Sequence, residues 1–187
     1  MTLIAILTFG LFACNNSTDK KTVGNEITKD CLVQVDSLHI DNSEELYNEQ
    51  TGQFNPTGTY ELDSKTEERD GEEYGYSGQI QVKAITNDKI VITLCVCKGA
   101  PSYNLGSMVD TLKYINNKAV YIAADDIDSM CKITFQFDKK GVTVVEETAD
   151  YNSGCGFGHA VVADGFYKRT SSKIPILTEP CTDEKLE

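Results

Sequence analysis

The sequence predicts an all-β fold: a small antiparallel up-and-down β-barrel of about eight strands, with a β-sandwich as the alternative. Three observations predict it. Short segments that alternate apolar and polar residues recur at regular spacing, separated by Gly, Asn and Asp. No long segment sustains a helical apolar period. One segment, KIVITLCVC over residues 89–97, is apolar on both faces and reads as a strand covered on both sides. A meander of this size closes or folds over itself, because open edges template aggregation.

The strands follow in order. Residues 57–62, TGTYEL, form the first. Residues 75–86 follow, with Ile80, Val82 and Ala84 on one face and Gln79, Gln81 and Lys83 on the other. Asn87-Asp88 is a tight turn into residues 89–97, where Ile90, Ile92, Leu94 and Val96 oppose Val91, Thr93, Cys95 and Cys97. Residues 108–115 and 119–123 make a two-residue hairpin about Asn116-Asn117, because Asn tolerates positive φ. In CKITFQFD, residues 131–138, the residues Cys131, Ile133, Phe135 and Phe137 share one face. Lys139-Lys140-Gly141 turns the chain into residues 142–147, and residues 165–169 are the last strand. The shape is somewhat like a lipocalin or avidin. The best helical candidate is residues 41–50, DNSEELYNEQ, where Asp41 or Ser43 caps one or two turns.

The chain has 187 residues, enough for one domain with a core and tails. Residues 1–13, MTLIAILTFGLFA, are apolar, uncharged and shorter than the roughly 20 residues a spanning helix needs. They read as the apolar part of a signal peptide. Leu11-Phe12-Ala13-Cys14 resembles the lipobox of bacterial lipoproteins, which implies that Cys14 is lipidated and becomes the new N-terminus. Acyl chains there hold a soluble domain on a membrane by burying methylenes, each worth about 0.8 kcal/mol. The tether then runs over residues 14–30, polar after the cysteine and without an apolar period, and the barrel domain with its stapled extensions over residues 31–187.

Net charge is −12 and the pI is near 4.6. Such a chain repels nucleic acid and anionic lipid surfaces and suits a basic protein partner such as a lysozyme. The acids concentrate in residues 61–73, ELDSKTEERDGEE, read as a solvated loop between the first two strands and as a docking surface for that partner.

Seven cysteines occur, at positions 14, 31, 95, 97, 131, 155 and 181. With Cys14 acylated, six remain, an even number that in an exported chain implies disulfides. Cys131 lies on the core face, and Cys155 sits at the other end of the next connection. A bond between them closes a loop of about 25 residues and stabilises by roughly 3 kcal/mol. Cys95 and Cys97 point outward if Ile90, Ile92, Leu94 and Val96 fill the core. Cys31 and Cys181 flank the strand region, so both tails are expected to be stapled to the outer face of this strand. No cysteine or histidine pairs have zinc-ligand spacing, and no cofactor or metal is expected.

Residues 152–169, NSGCGFGHAVVADGFYKR, concentrate glycine around Cys155. Gly154, Gly156 and Gly158 permit a sharp bend pinned by a disulfide and plugged by Phe157. Asp164-Gly165 is a turn launching the last strand, with Asp164 bonding back to the backbone, and Tyr167 or Phe166 fills the core. The pattern C-G-F-G-x-x-V-x-A-D-G-x-Y-x-R, on Cys155 to Arg169, resembles the C-terminal end of small exported bacterial lipoproteins and periplasmic proteins, some of them lysozyme-inhibitor-like. The likeness reaches upstream to Gly58-Thr59-Tyr60 and covers residues 57–169. It implies a fold, an envelope location and a binding or inhibitory role. The Ser-Gly-rich cleft-reaching loop of the better-known inhibitors is not found here.

Catalytic readings are weaker. Cys155 with His159 needs an activated thiolate in an oxidising compartment. Ser153 has no acid–base partner in sequence, and the glycines do not sit between a strand and a helix as a phosphate loop requires. Asp125, Asp126 and Asp128 lack a calcium-loop pattern and read as a turn. Tyr74, Tyr76, Tyr103 and Tyr121 are candidates for a barrel mouth or a contact patch. The expected role is non-catalytic binding, with a carrier of a small apolar ligand inside the barrel as the alternative.

Overall fold

A computed structural model describes residues 47–48, 52–182 and 184–186. The leader, Cys14, the tether and Cys31 lie outside the described residues. Eleven strands are described: β1 (Tyr47–Asn48), β2 (Gln53–Phe54), β3 (Gly58–Leu62), β4 (Glu67–Arg69), β5 (Glu72–Thr86), β6 (Lys89–Gly99), β7 (Leu105–Ile115), β8 (Lys118–Ile122), β9 (Lys132–Phe137), β10 (Gly141–Glu147) and β11 (Gly165–Ser171). A one-turn helix, α1 (Asp125–Asp128), precedes β9.

β3 and β5 to β11 pair in sequence order, all antiparallel, and β11 pairs back onto β3 through Leu62–Tyr167, Glu61–Lys168 and Tyr60–Arg169. The result is a closed eight-stranded up-and-down barrel, and β4 is an extra strand paired to β5. Closure removes the edges that an open meander would expose. The Asn116-Asn117 hairpin is as the sequence predicts: both residues are left-handed, with φ of 53° and 60°.

Two sequence expectations are corrected. Of the helix expected over residues 41–50, only Tyr47 and Asn48 are described, and they are extended. They form β1, paired antiparallel with Gln53 and Phe54 of β2, whose Phe54 is buried in the core. The rest of that segment lies outside the described residues. The acidic run 61–73 is not one loop. It splits into the end of β3, then β4 and the start of β5, which form a hairpin with Asp70-Gly71 at its tip. Both tip residues are left-handed (φ 55° and 78°), the geometry a two-residue turn demands.

The inward faces meet along the barrel axis. Ile90, Ile92, Leu94 and Val96 of β6 and Ile133 and Phe135 of β9 are wholly buried, and Phe137 nearly so. Phe137 lies edge-on to Tyr60 and to Tyr114, with ring centroids 5.8 and 5.6 Å apart. Tyr167 is wholly buried and its hydroxyl donates to Ala163 O at 3.1 Å. Large side chains thus fill the axis, as eight strands allow.

Each end has its own closure. At the turn end lie Asn87-Asp88, Asn116-Asn117, the 138–140 turn and β2. Gln53 Nε2 donates to Asn87 O (3.1 Å), and Phe54 N–H donates to Asn117 Oδ1 (2.7 Å). Arg169 covers Phe54 and Tyr60, its guanidinium carbon 4.9 and 5.6 Å from their ring centres. Its fork donates to Asn55 O and Thr57 O. At the opposite, cysteine end lie the β4–β5 hairpin, α1 and the segment 148–164.

Candidate binding surface

The cysteine end is built by the glycine-rich segment. Cys131 and Cys155 are disulfide-bonded, as the shared face of Cys131 with Ile133 and Phe135 predicts. Cys155 and Gly156 take left-handed conformations (φ 58° and 73°) in a short 3-10 turn, which aims Phe157 inward. Phe157 packs on β7 at Gly106, where a Cβ would lie 2.7 Å from the ring, so only glycine admits the plug. Gly158 N–H donates to Leu105 O (2.8 Å), and Asn104 Nδ2 to His159 O (2.8 Å). His159 itself is exposed.

Two acids, Asp128 and Glu146, brace this segment, a role the sequence reading gave to neither. Asp128, expected as part of a turn, ends α1 instead. Its carboxylate accepts from the Thr148 hydroxyl (2.6 Å) and from the N–H groups of Cys155 (3.1 Å) and Met130 (2.9 Å). Those bonds, the Thr148 hydroxyl foremost, hold the carboxyl below its ordinary range. Glu146 points into the barrel, 2% exposed, and burial raises its carboxyl above the ordinary range. Its Oε2 accepts from Ala163 N–H at 2.7 Å and its Oε1 has no partner. The signal for Glu146 was present in the sequence: Val142, Val144 and Glu146 alternate onto one face. Asp164 bonds not locally but across to the N–H of Glu146 on β10 (2.5 Å), because β10 ends beside the start of β11.

The outward face of β6 carries the second disulfide, Cys95–Cys181. The C-terminal residues form a small hairpin over it, with Thr178 bridged to Lys185, and Thr178 N–H donates to Gln81 Oε1 (3.1 Å). The C-terminal staple is therefore as expected. Among the described residues Cys97 has no disulfide partner; it is half-buried on the same face.

Beside this staple lies an open groove of about 440 Å3, bordered by Glu61, Leu62, Ser64, Thr66 and Glu73 on one side and by Cys95 and Cys97 on the other. A second groove, about 250 Å3, lies across the disulfide under Thr178, Pro180 and Thr182. The β4–β5 hairpin stands at the rim of the first. The run from Glu61 on β3 to Glu73 on β5 carries seven acids, all exposed. Of the two bases in the run, Arg69 is occupied: it pairs with Glu67 (3.7 Å) and lies over the Tyr74 ring (4.4 Å). The hairpin is anchored where Ala100 N–H donates to Glu73 O (2.7 Å), and the Tyr103 hydroxyl reaches Glu72 Oε2 (3.3 Å). Tyr74 and Tyr103 thus belong to this surface. Tyr76 and Tyr121 do not: Tyr76 donates to Ala160 O (2.5 Å) under the 148–164 segment, and Tyr121 packs against the core.

Such an arrangement offers a concentrated negative field, two aromatic rings and a shallow concave floor. Among the described residues, no cluster of three or more His, Cys, Asp and Glu is placed to hold a metal ion. Comparisons with protein-family models, curated proteins and solved structures find no significant match to this chain.

Proposed function

We propose that this chain is an exported lipoprotein of the bacterial envelope, anchored through Cys14, whose barrel binds a basic protein non-catalytically in the manner of a lysozyme inhibitor. One observation carries the reading. Glu61 and Glu73 line a groove on the barrel wall, and Glu67, Glu68, Asp70 and Glu72 stand exposed on the hairpin that borders it, with only local basic neighbours. Such a field attracts and orients a cationic surface. The filled axis (Tyr60, Tyr114, Phe135, Phe137, Tyr167) weighs against the carrier reading, which needs an internal cavity.

In the same reading, Cys31 pairs with Cys97 in the oxidising compartment and staples the N-terminal extension beside the C-terminal one. A non-reducing peptide map tests this.

The experiment for the partner is a titration of purified protein into a muramidase, beside a pull-down from envelope extract. The expected result is a salt-sensitive loss of lytic activity that charge reversal of Glu68, Asp70 and Glu72 abolishes. Full lytic activity with the protein in excess removes the inhibitor role. Failure to retain any basic protein in the pull-down removes the docking surface as well.

A further inference from the structure

The net charge of −12 conceals a division of charge between the two ends of the barrel. The acids described above crowd the cysteine end. At the turn end, β5 to β8 and the β9–β10 turn bring together Lys83, Lys89, Lys113, Lys118, Lys139 and Lys140, all exposed. These lysines are scattered over residues 83–140, and only closure of the barrel gathers them.

Among the described residues, little offsets them locally. The acids of the turns at this end are Asp88 and Asp138, and both are bonded within their own turns. Asp88 accepts from the Thr86 hydroxyl (2.7 Å), and Asp138 accepts from the N–H groups of Lys140 (2.7 Å) and Gly141 (2.9 Å). Among the described residues the ion pairs, Arg69–Glu67 and Lys132–Glu147, lie at the other end. Lys89 stands directly opposite Lys113 in the β6–β7 ladder. Like charges so placed destabilise a sheet.

Apolar side chains stand among these cations. Ile85 is 54% exposed and Ile115 44% exposed. A groove of about 350 Å3 is lined by Lys113, Ile115, Lys118 and Val120. Lysines around exposed aliphatic side chains match one kind of surface best. Ammonium groups meet phosphates at the headgroup level while aliphatic tips enter the acyl boundary. A soluble polyanion would use the charge and leave the isoleucines in water.

We propose that the turn end of the barrel is a docking surface for a bilayer bearing anionic phospholipid headgroups. The surface acts without any acyl chain. The expectation from net charge, that this chain is repelled by anionic lipid, therefore fails locally: the protein is repelled at one end and drawn in at the other. Seated this way, the acidic hairpin faces away from the membrane.

The test uses the full chain carrying Cys14→Ser, so that no acyl group contributes. It is floated with vesicles of phosphatidylcholine, with and without phosphatidylglycerol. The expected result is binding to the anionic vesicles alone, lost at high salt. Lys113→Glu with Lys118→Glu should reduce partitioning by about tenfold or more. Lys113→Glu alone should weaken vesicle binding and also raise the melting temperature, because it relieves the repulsion from Lys89. Those opposite signs separate a docking defect from misfolding. Equal flotation with neutral and anionic vesicles, or none with either, overturns the proposal. So does binding of soluble polyglutamate as tight as binding to the vesicles and unchanged by Ile115→Ser, which would make the surface a polyanion site. With neither acyl chain nor muramidase in the assay, its failure leaves the acidic-face reading untouched.

Discussion

Glu146 and Asp164 tie β10 to the approach to β11 by a reciprocal exchange. The N–H of Glu146 donates to Asp164 Oδ1 at 2.5 Å, while Glu146 Oε2 accepts from the N–H of Ala163, the neighbour of Asp164, at 2.7 Å. Two backbone donors that would otherwise be stranded at the cysteine end are satisfied together. The arrangement leaves Glu146 Oε1 buried without a partner.

That orphan oxygen makes the ionised form of Glu146 unfavourable. Its folded pKa is raised, from burial first. The proton it holds therefore stabilises the fold at low pH, and this contribution is lost as pH rises through the folded value. Glu146→Gln is expected to melt close to the native protein near pH 4 and above it near pH 7. Thermal melts across that range check the sign. A constant difference between the two proteins would contradict it.

Asp128 works in the opposite sense. Its carboxyl is held low by the Thr148 hydroxyl and the Cys155 N–H, so its contribution is present above the unfolded value and lost on acidification. Asp128→Asn should lower the melting temperature at neutral pH and converge with the native protein in acid. The Cys131–Cys155 bond beside it, 24 residues apart in sequence, is expected to contribute about 3 kcal/mol. Urea denaturation of Cys131→Ala with Cys155→Ala measures it.

Phe157 and Gly106 form a knob and its seat. Phe157→Ala should destabilise by about 3–5 kcal/mol, as an emptied aromatic site does. Gly106→Ala should cost about 1–3 kcal/mol by overfilling the same place. Combining them should cost less than the sum, because the new methyl enters the space that the ring has left. Chemical denaturation of the three variants reads the coupling directly.

Arg169 is a cation used for its shape. It stacks on Phe54 and Tyr60 and its fork reaches Asn55 O and Thr57 O across the β11–β3 seam. Arg169→Lys keeps the charge and loses the planar fork, and is expected to destabilise by about 1–3 kcal/mol. Equal stability of the two proteins in urea would show that charge alone matters there.

Much of the fold was legible because the barrel rests on period-two patterning. Ile133, Phe135 and Phe137 announced the face that put Cys131 in the core, and Ile90, Ile92, Leu94 and Val96 announced the face that put Cys95 outside. The similar glycine–aromatic starts at Gly58-Thr59-Tyr60 and Gly165-Phe166-Tyr167 also belong to adjacent strands, the first and last of the barrel. The β4–β5 hairpin was missed although Asp70-Gly71 is a strong turn signal, because its flanking residues are charged rather than alternating. Glu146 was missed because its inward position was read only as strand. The lysines of the turn end were not legible at all. Their grouping depends on which strand ends coincide in space, and no local pattern encodes that.

The seam between β3 and β11 has a topological consequence. Thr59 lies opposite Ser171, so the barrel's first and last strands run side by side with their free ends together at the turn end. The cylinder thus has no intrinsic beginning. A short linker joining residues 171 and 58, with a new opening at Asp70-Gly71, would yield a circular permutant that keeps every ladder of the eight-stranded barrel and gives up β1, β2 and the C-terminal hairpin with its disulfide.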